Sequence, residues 1–180
     1  LIDCIPTLNY TYDKNLITPE NWNLQGFKLR DYQEEAIRVS VSSHRRIIQS
    51  PTGSGKTLIM AGIIKALQGR KMVILFDAKQ LLTQTYEFLS TSCKLDNIGL
   101  CYGEGYIYGD VMLCTVQSIE KILDTHLEES EVLMVDEVHK FGNGKSRLAA
   151  IQSFPKAQYR LGFTATTPSE AIPLHNLEGS

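Results

Sequence analysis

Three features of the sequence predict an α/β domain with a parallel central sheet and helices on both faces. From residue 27 onward, short apolar runs alternate with stretches of helical periodicity. The apolar runs are continuous, without the in–out alternation of a half-solvated strand, as expected where both faces of a parallel sheet are covered. One of them passes directly into a glycine-rich turn that opens a helix, Ser50-Pro51-Thr52-Gly53-Ser54-Gly55-Lys56-Thr57.

The elements follow in order. Residues 1–26 carry Pro6, Pro19, several Asn and aromatics, and read as an N-terminal extension or part of a small accessory domain. Asp31 opens a helix whose Ala36, Ile37 and Ser40 recur at helical spacing. Residues 46–49 read as a strand, and 56–67 as a helix closed by Gly69. A strand over 72–76 and a helix over 80–90 come next. Strands over 97–101 and 111–114 flank a glycine-rich turn at Gly103-Glu104-Gly105. A helix is expected over 116–127, a strand over 132–135, a short helix over 146–153 and a last strand over 159–163. No internal repeat or low-complexity tract interrupts the pattern.

Composition narrows the class. At 180 residues the chain has room for one domain, and 43% hydrophobic with 21% charged residues is ordinary for a globular protein. With 18 basic and 20 acidic residues the net charge is −2, so contact with nucleic acid must be local rather than a coating. The four cysteines lack metal-ligand spacing and read as free thiols in a reducing, intracellular compartment. No apolar stretch approaches the roughly 18–20 residues of a membrane span. The chain opens on Leu1 and reads as a piece of a longer protein.

The Ser50–Thr57 turn is the sharpest chemical signal. Gly53 and Gly55 let the backbone curl so that successive N–H groups point at phosphate oxygens. The helix that follows presents the positive end of its dipole to the same anion. In this loop Pro51, Thr52, Gly53, Ser54 and Gly55 form the cradle, Lys56 reaches the β- and γ-phosphates, and Thr57 ligates Mg²⁺. The general pattern places a glycine where this chain has Ser50, a departure that leaves the G-x-G-K-T core intact.

Downstream, the apolar run Val132–Val135 delivers Asp136-Glu137-Val138-His139. An Asp at the end of such a strand suits a phosphate-bound Mg²⁺, held mostly through water. Glu137 suits orienting and deprotonating the attacking water. A solvated acidic pair is common at strand ends, but its pairing with the upstream loop favours a phosphoryl-transfer site that uses ATP. His139 is either a surface residue or a link to the next element.

Together these residues resemble the superfamily 2 helicases and translocases, in the form that carries Asp-Glu-x-His after the second apolar strand. The resemblance extends over residues 27–168. Leu29-Arg30-Asp31-Tyr32-Gln33 looks like the family's Q motif, which implies that Gln33 reads the adenine edge and Arg30 supports it, with Phe27 or Trp22 a candidate to stack on the base. The segment from Phe76 to Gln84 stands in the position of motif Ia, implying a nucleic-acid contact at Lys79, although Asp77 and Ala78 depart from the usual Pro-Thr. Gly103 stands where the family has a glycine turn that touches the nucleic-acid backbone. Cys114-Thr115-Val116-Gln117-Ser118-Ile119 matches motif Ib, implying phosphate contact at Thr115 and a further contact at Gln117. Gly162-Phe163-Thr164-Ala165-Thr166 matches motif III, implying that Thr164 and Thr166, with His139, couple the ATP site to the track.

The resemblance implies a RecA-like P-loop NTPase lobe over residues 27–180, with ATP and Mg²⁺ as cofactors and nucleic acid as partner. The motif style is similar to DNA-directed members, including the transcription-and-repair helicases related to the TFIIH motor and phage enzymes that remodel branched DNA. An RNA helicase, a duplex translocase and an ATP-gated scaffold without productive hydrolysis are the competing readings. Family members carry a second RecA-like lobe that supplies an arginine finger. Arg160 lies within a predicted strand and is badly placed for that role. The 180-residue chain is therefore expected to bind nucleotide and hydrolyse it poorly.

Overall fold

The computed structural model describes residues 22–122, 124–143 and 145–165. In chain order the elements are α1 (Asp31–Ser43), β1 (Arg45–Gln49), α2 (Lys56–Ala66), β2 (Met72–Phe76), α3 (Lys79–Glu87), β3 (Ile98–Tyr102), β4 (Gly105–Ile107), β5 (Val111–Thr115), α4 (Asp124–Glu129), β6 (Val132–Val135), α5 (Lys145–Gln152) and β7 (Tyr159–Thr164). Tighter turns of 3₁₀ helix run over Val116–Lys121 and Val138–Asn143, and a π-helical turn, Phe88–Ser92, extends α3.

The strands form one sheet in the order β1-β7-β6-β2-β5-β3-β4. Every pairing is parallel except that of β3 with β4, which closes the edge as an antiparallel hairpin. The apolar β2 explains why such strands read as unbroken runs. Met72, Ile74 and Phe76 face a core shared with Ile37, Ile59 and Ile63, while Val73 and Leu75 face a second core with Phe141, Ile151 and Phe154. All five β2 residues are fully buried, so neither side of the pleat has a place for a polar residue. The expected parallel sheet, covered on both faces, is the observed one.

Trp22 and Leu24 sit in the first core, beside α1 and α2, so the packing extends to the N-terminal side of residue 27. This removes Trp22 from consideration as a stacking surface for a base, because its side chain is buried. Phe27 is half-buried and tilts against Phe88, with ring centroids 5.6 Å apart.

Two local expectations are corrected. The helix expected over 116–127 is broken into the 3₁₀ turn and α4. Ile122 takes an extended conformation (φ −69, ψ 132) and buries its side chain in the second core. The glycine turn also contains a strand, β4, whose Tyr106 and Ile107 pair with Cys101 and Leu100. A three-residue strand whose first residue is glycine is too short to show a period of two in the sequence.

The stability of this arrangement rests on β2. Phe76→Ala is expected to destabilise the folded chain by about 3–5 kcal/mol, because it removes a fully buried ring from the centre of the sheet and leaves a cavity. Chemical denaturation followed by circular dichroism checks this, and a loss below about 1 kcal/mol would contradict the placement.

Candidate nucleotide and nucleic-acid site

In an open parallel sheet, ligands sit outside the carboxyl ends of the strands. Six of the strands end on the same edge here, and the residues singled out in the sequence lie along it. The order of strands divides them into two groups. The ends of β1, β7 and β6 carry the phosphate loop, Thr164 and Asp136, whereas the ends of β2, β5 and β3 carry Lys79, Thr115 and Gly103.

The loop leaves β1 at Gln49 and enters α2 at Lys56. Gly53 and Gly55 have φ of +80 and +82, left-handed values that side chains other than glycine rarely adopt. Gly55 is constrained twice, since a Cβ there would lie 2.4 Å from Gln33 Nε2. Ser50, at the first-glycine position of the general pattern, is buried and bonded through its hydroxyl to that of Ser54. Ser54 Oγ also donates to the carbonyl of Pro51 at 2.6 Å. The serine in place of glycine thus braces the loop from within. Gly55→Ala is expected to weaken nucleotide binding at least tenfold, because strain of about 1–2 kcal/mol and the displaced Gln33 both disturb the cradle. Titration with a fluorescent ATP analogue reads this directly.

Gln33 lies beneath the loop. Its Nε2 donates to the carbonyl of Ser54 at 2.9 Å, and its Oε1 accepts from the backbone N–H of Arg30 at 2.9 Å. Tyr32, whose role no sequence pattern signals, donates its hydroxyl to the same Ser54 carbonyl at 2.6 Å. Arg30 in turn donates to Tyr32 Oη at 3.1 Å. The Arg-x-Tyr-Gln segment is therefore tied to the phosphate loop.

Opposite the loop, Asp136 and Glu137 follow β6. Lys56 Nζ lies 2.7 Å from Asp136 Oδ1 and 2.7 Å from Glu137 Oε1. Both carboxylates meet the Lys56 ammonium as close ion pairs, and Asp136 Oδ1 is buried. Burial alone would push the Lys56 ammonium down. Hydrogen bonding and attraction from the two carboxylates outweigh it and hold the group above the ordinary lysine value. Thr57 stands one residue on, in the first turn of α2.

Glu137 has φ of +50, an uncommon conformation for a side chain of its size. It lets the chain turn off β6 into the Val138–Asn143 segment. Gly162 makes room for that segment, because a Cβ there would lie 2.9–3.1 Å from the Val138 side chain. This close packing sets His139 against β7. His139 Nδ1 lies 2.9 Å from Thr164 Oγ1 and 3.3 Å from Glu137 Oε2. A continuous polar path thus runs from Lys56 through Glu137 and His139 to Thr164, whose carbonyl accepts from the N–H of Ser50 at 2.8 Å. Thr166 lies outside the described residues.

On the second half of the edge, Lys79 begins α3 and sets its ammonium 4.4 Å from the centre of the Tyr102 ring. Gly103, at φ +47, donates its N–H to Ser118 Oγ at 3.0 Å and accepts through its carbonyl from Lys121. Thr115 is buried and turns its hydroxyl inward, donating to Ser118 Oγ at 3.0 Å, whereas Gln117 is exposed. Ser118, which no sequence pattern singles out, joins the Gly103 turn to the end of β5.

A phosphate loop after β1, an Asp–Glu pair after β6, with β7 between them, and a second cluster across the same edge are the arrangement of a RecA-like domain of the superfamily 2 helicase type. Residues 26–169 match the family described as "Type III restriction enzyme, res subunit", and the chain belongs to that family. It is 31% identical over 140 residues to the DNA 3'-5' translocase XPB2 of Sulfurisphaera tokodaii, covering 77% of this chain and 31% of that protein. It is 25% identical over 130 residues to the chloroplastic DExH-box ATP-dependent RNA helicase DExH15 of Arabidopsis thaliana, covering 65% of this chain and 11% of that one. Among solved structures, the Hef helicase domain of Pyrococcus furiosus superposes with a TM-score of 0.67 at 25% identity, over 83% of this chain and 36% of that one. The chain spans about a third or less of the two curated relatives.

Proposed function

We propose that this chain is the first, ATP-binding lobe of an ATP-dependent DNA helicase or translocase. The observation that carries the reading is the division of one sheet edge into a phosphate half and a second half that gathers Lys79, Gly103 and Gln117. Residues 27–180 form that lobe on this reading, with Trp22 and Leu24 leading into it, and a second RecA-like lobe completes the motor.

In the proposed mechanism the backbone N–H groups of Thr52 to Gly55 cradle the phosphates, with Pro51 shaping the entry to the loop, and Lys56 turns from the carboxylates toward the β- and γ-oxygens. Gln33 and Arg30 support the adenine side through their grip on the loop. The residues fit a magnesium ion once Lys56 turns to the phosphates, since Asp136 offers a buried carboxylate and Thr57 a hydroxyl, both hard oxygen donors. Bound there, Mg²⁺ would neutralise charge on the β- and γ-phosphates. Glu137 accepts a proton from water as that water's oxygen attacks the γ-phosphorus and the bond to the β-phosphate oxygen breaks, leaving ADP and phosphate. His139 and Thr164 relay the change toward the second lobe. Lys79, Gly103 and Gln117 hold the nucleic-acid backbone, with Thr115 shaping the turn beneath them. Backbone contacts of this kind carry no sequence information, which suits a motor.

The test is ATP hydrolysis by the full-length protein with single-stranded, duplex and branched DNA and with RNA as separate stimulants. Strong stimulation by duplex or branched DNA supports the reading. Stimulation by RNA alone replaces the DNA assignment with an RNA one. No stimulation by any of them leaves an ATP-gated scaffold as the better account.

A further inference from the structure

The position of motif Ia departs from its family pattern at Asp77, and the structure gives that departure a geometry. Asp77 follows β2, the middle strand of the seven and the one that borders both halves of the functional edge. Leu75, two residues earlier, accepts the N–H of Asp136 at 2.9 Å. Lys79, two residues later, is the first residue of α3.

The Asp77 side chain reaches toward the phosphate half. Arg147, on α5, donates from Nε at 3.0 Å and from Nη2 at 2.5 Å, both to Asp77 Oδ1. Lys140 places its Nζ 3.7 Å from the other oxygen, Oδ2. The carboxylate is 17% exposed, well covered for a charged group at a strand end. Lys140 belongs to the turn that follows the catalytic pair, and its N–H donates to the carbonyl of Glu137 at 2.9 Å. One carboxylate thus joins Lys140, in the turn after Glu137, and Arg147, on α5, to the residue that leads into Lys79. Charge-assisted contacts of this kind fix orientation more firmly than neutral ones.

We propose that Asp77 is a positioning residue that couples nucleic-acid engagement at the start of α3 to the placement of Glu137. The inference rests on the nucleic-acid reading given above. Removing the carboxylate leaves Arg147 and Lys140 without their shared anion, so the Val138–Asn143 segment keeps its apolar packing on β2 and loses its charged tie to the end of that strand. The phosphate loop and the Lys79 side chain are untouched, since neither contacts Asp77 in the structure.

The experiment compares full-length wild type with Asp77→Asn, Arg147→Gln and the charge-swapped Asp77→Arg/Arg147→Asp pair. Basal and nucleic-acid-stimulated kcat, KM for ATP, Kd for a DNA oligonucleotide and Tm are measured for each. Asp77→Asn is expected to lower stimulated kcat by 5- to 150-fold, the usual span of coupling between sites. Basal kcat, KM and DNA affinity should stay within about twofold of wild type. The swapped pair should recover part of the stimulation. Basal and stimulated rates falling in step, unchanged stimulation, or weakened DNA binding that accounts for the loss would each overturn the proposal. Wild type that no nucleic acid stimulates would remove the functional reading and this inference with it. Stimulated wild type beside an equally stimulated Asp77→Asn would remove the inference alone.

Discussion

Glu137→Gln in the full-length protein is expected to bind ATP about as well as the native chain while hydrolysing it about 10²–10⁴-fold more slowly. Glutamine has nearly the same shape and can still accept from Lys56 through its amide oxygen, so the 2.7 Å contact survives. What is lost is the group that takes the proton from water. The backbone gives a further reason to expect a specific effect. The left-handed φ of +50 at Glu137 is set by the turn off β6 and by Val138 seated on Gly162, so the substitution changes chemistry without moving the chain. Single-turnover hydrolysis, paired with titration of a fluorescent nucleotide, separates the two effects. Lys56→Ala is the contrasting case, in which nucleotide affinity itself should fall, because the phosphate-directed cation is gone. A Glu137→Gln protein that turns over at the native rate would remove Glu137 from the role of base.

The parts of the fold that the sequence reveals are those determined locally. β2 and β6 are runs of apolar residues buried on both sides, and nothing outside the run is needed to recognise them. The phosphate loop and the Asp136–Glu137 pair announce themselves because residue type, spacing and the strand–turn–helix context agree. Elements determined by distant partners stay hidden. Ile122 breaks the expected helix because the second core has a place for its side chain, which no local propensity encodes. β4 exists because β3 offers it an edge. At the site, the same division holds. Tyr32 and Gln33 are adjacent in sequence, but their shared acceptor, the Ser54 carbonyl, lies in another segment. Thr115 reads as a phosphate contact from its position at a helix start. Its hydroxyl instead points to Ser118, a preference that only the packed Gly103 turn explains. Asp77 reads as a mismatch to a motif, and its partners Arg147 and Lys140 lie far along the chain.

The 180-residue chain on its own is expected to bind ATP and to hydrolyse it on the order of 10³–10⁵-fold more slowly than the full-length protein acting on nucleic acid. That span is the contribution of an arginine directed at the transferring phosphate, and the arginines of this lobe whose contacts bear on the matter are committed elsewhere. Arg160 donates to the carbonyls of Ile151 at 3.0 Å and Phe154 at 2.6 Å, fastening α5 and the turn after it to β7. Burial, with Arg45 nearby, pushes its guanidinium below the ordinary arginine value. Arg147 is held by Asp77. The geometry that remains, Lys56 between two carboxylates, is a ground-state arrangement that nucleotide binding must break before chemistry can begin. Comparison of the isolated chain with the full-length protein, each with saturating ATP and with and without DNA, tests the claim. A slow, DNA-independent rate in the isolated chain places the missing transition-state stabilisation outside this lobe. A fast rate stimulated by DNA in the isolated chain would require an arginine of this lobe to leave its present partner and reach the phosphates. Arg147 would then be the first to substitute, since freeing it from Asp77 would both release a guanidinium and disturb the Glu137 segment.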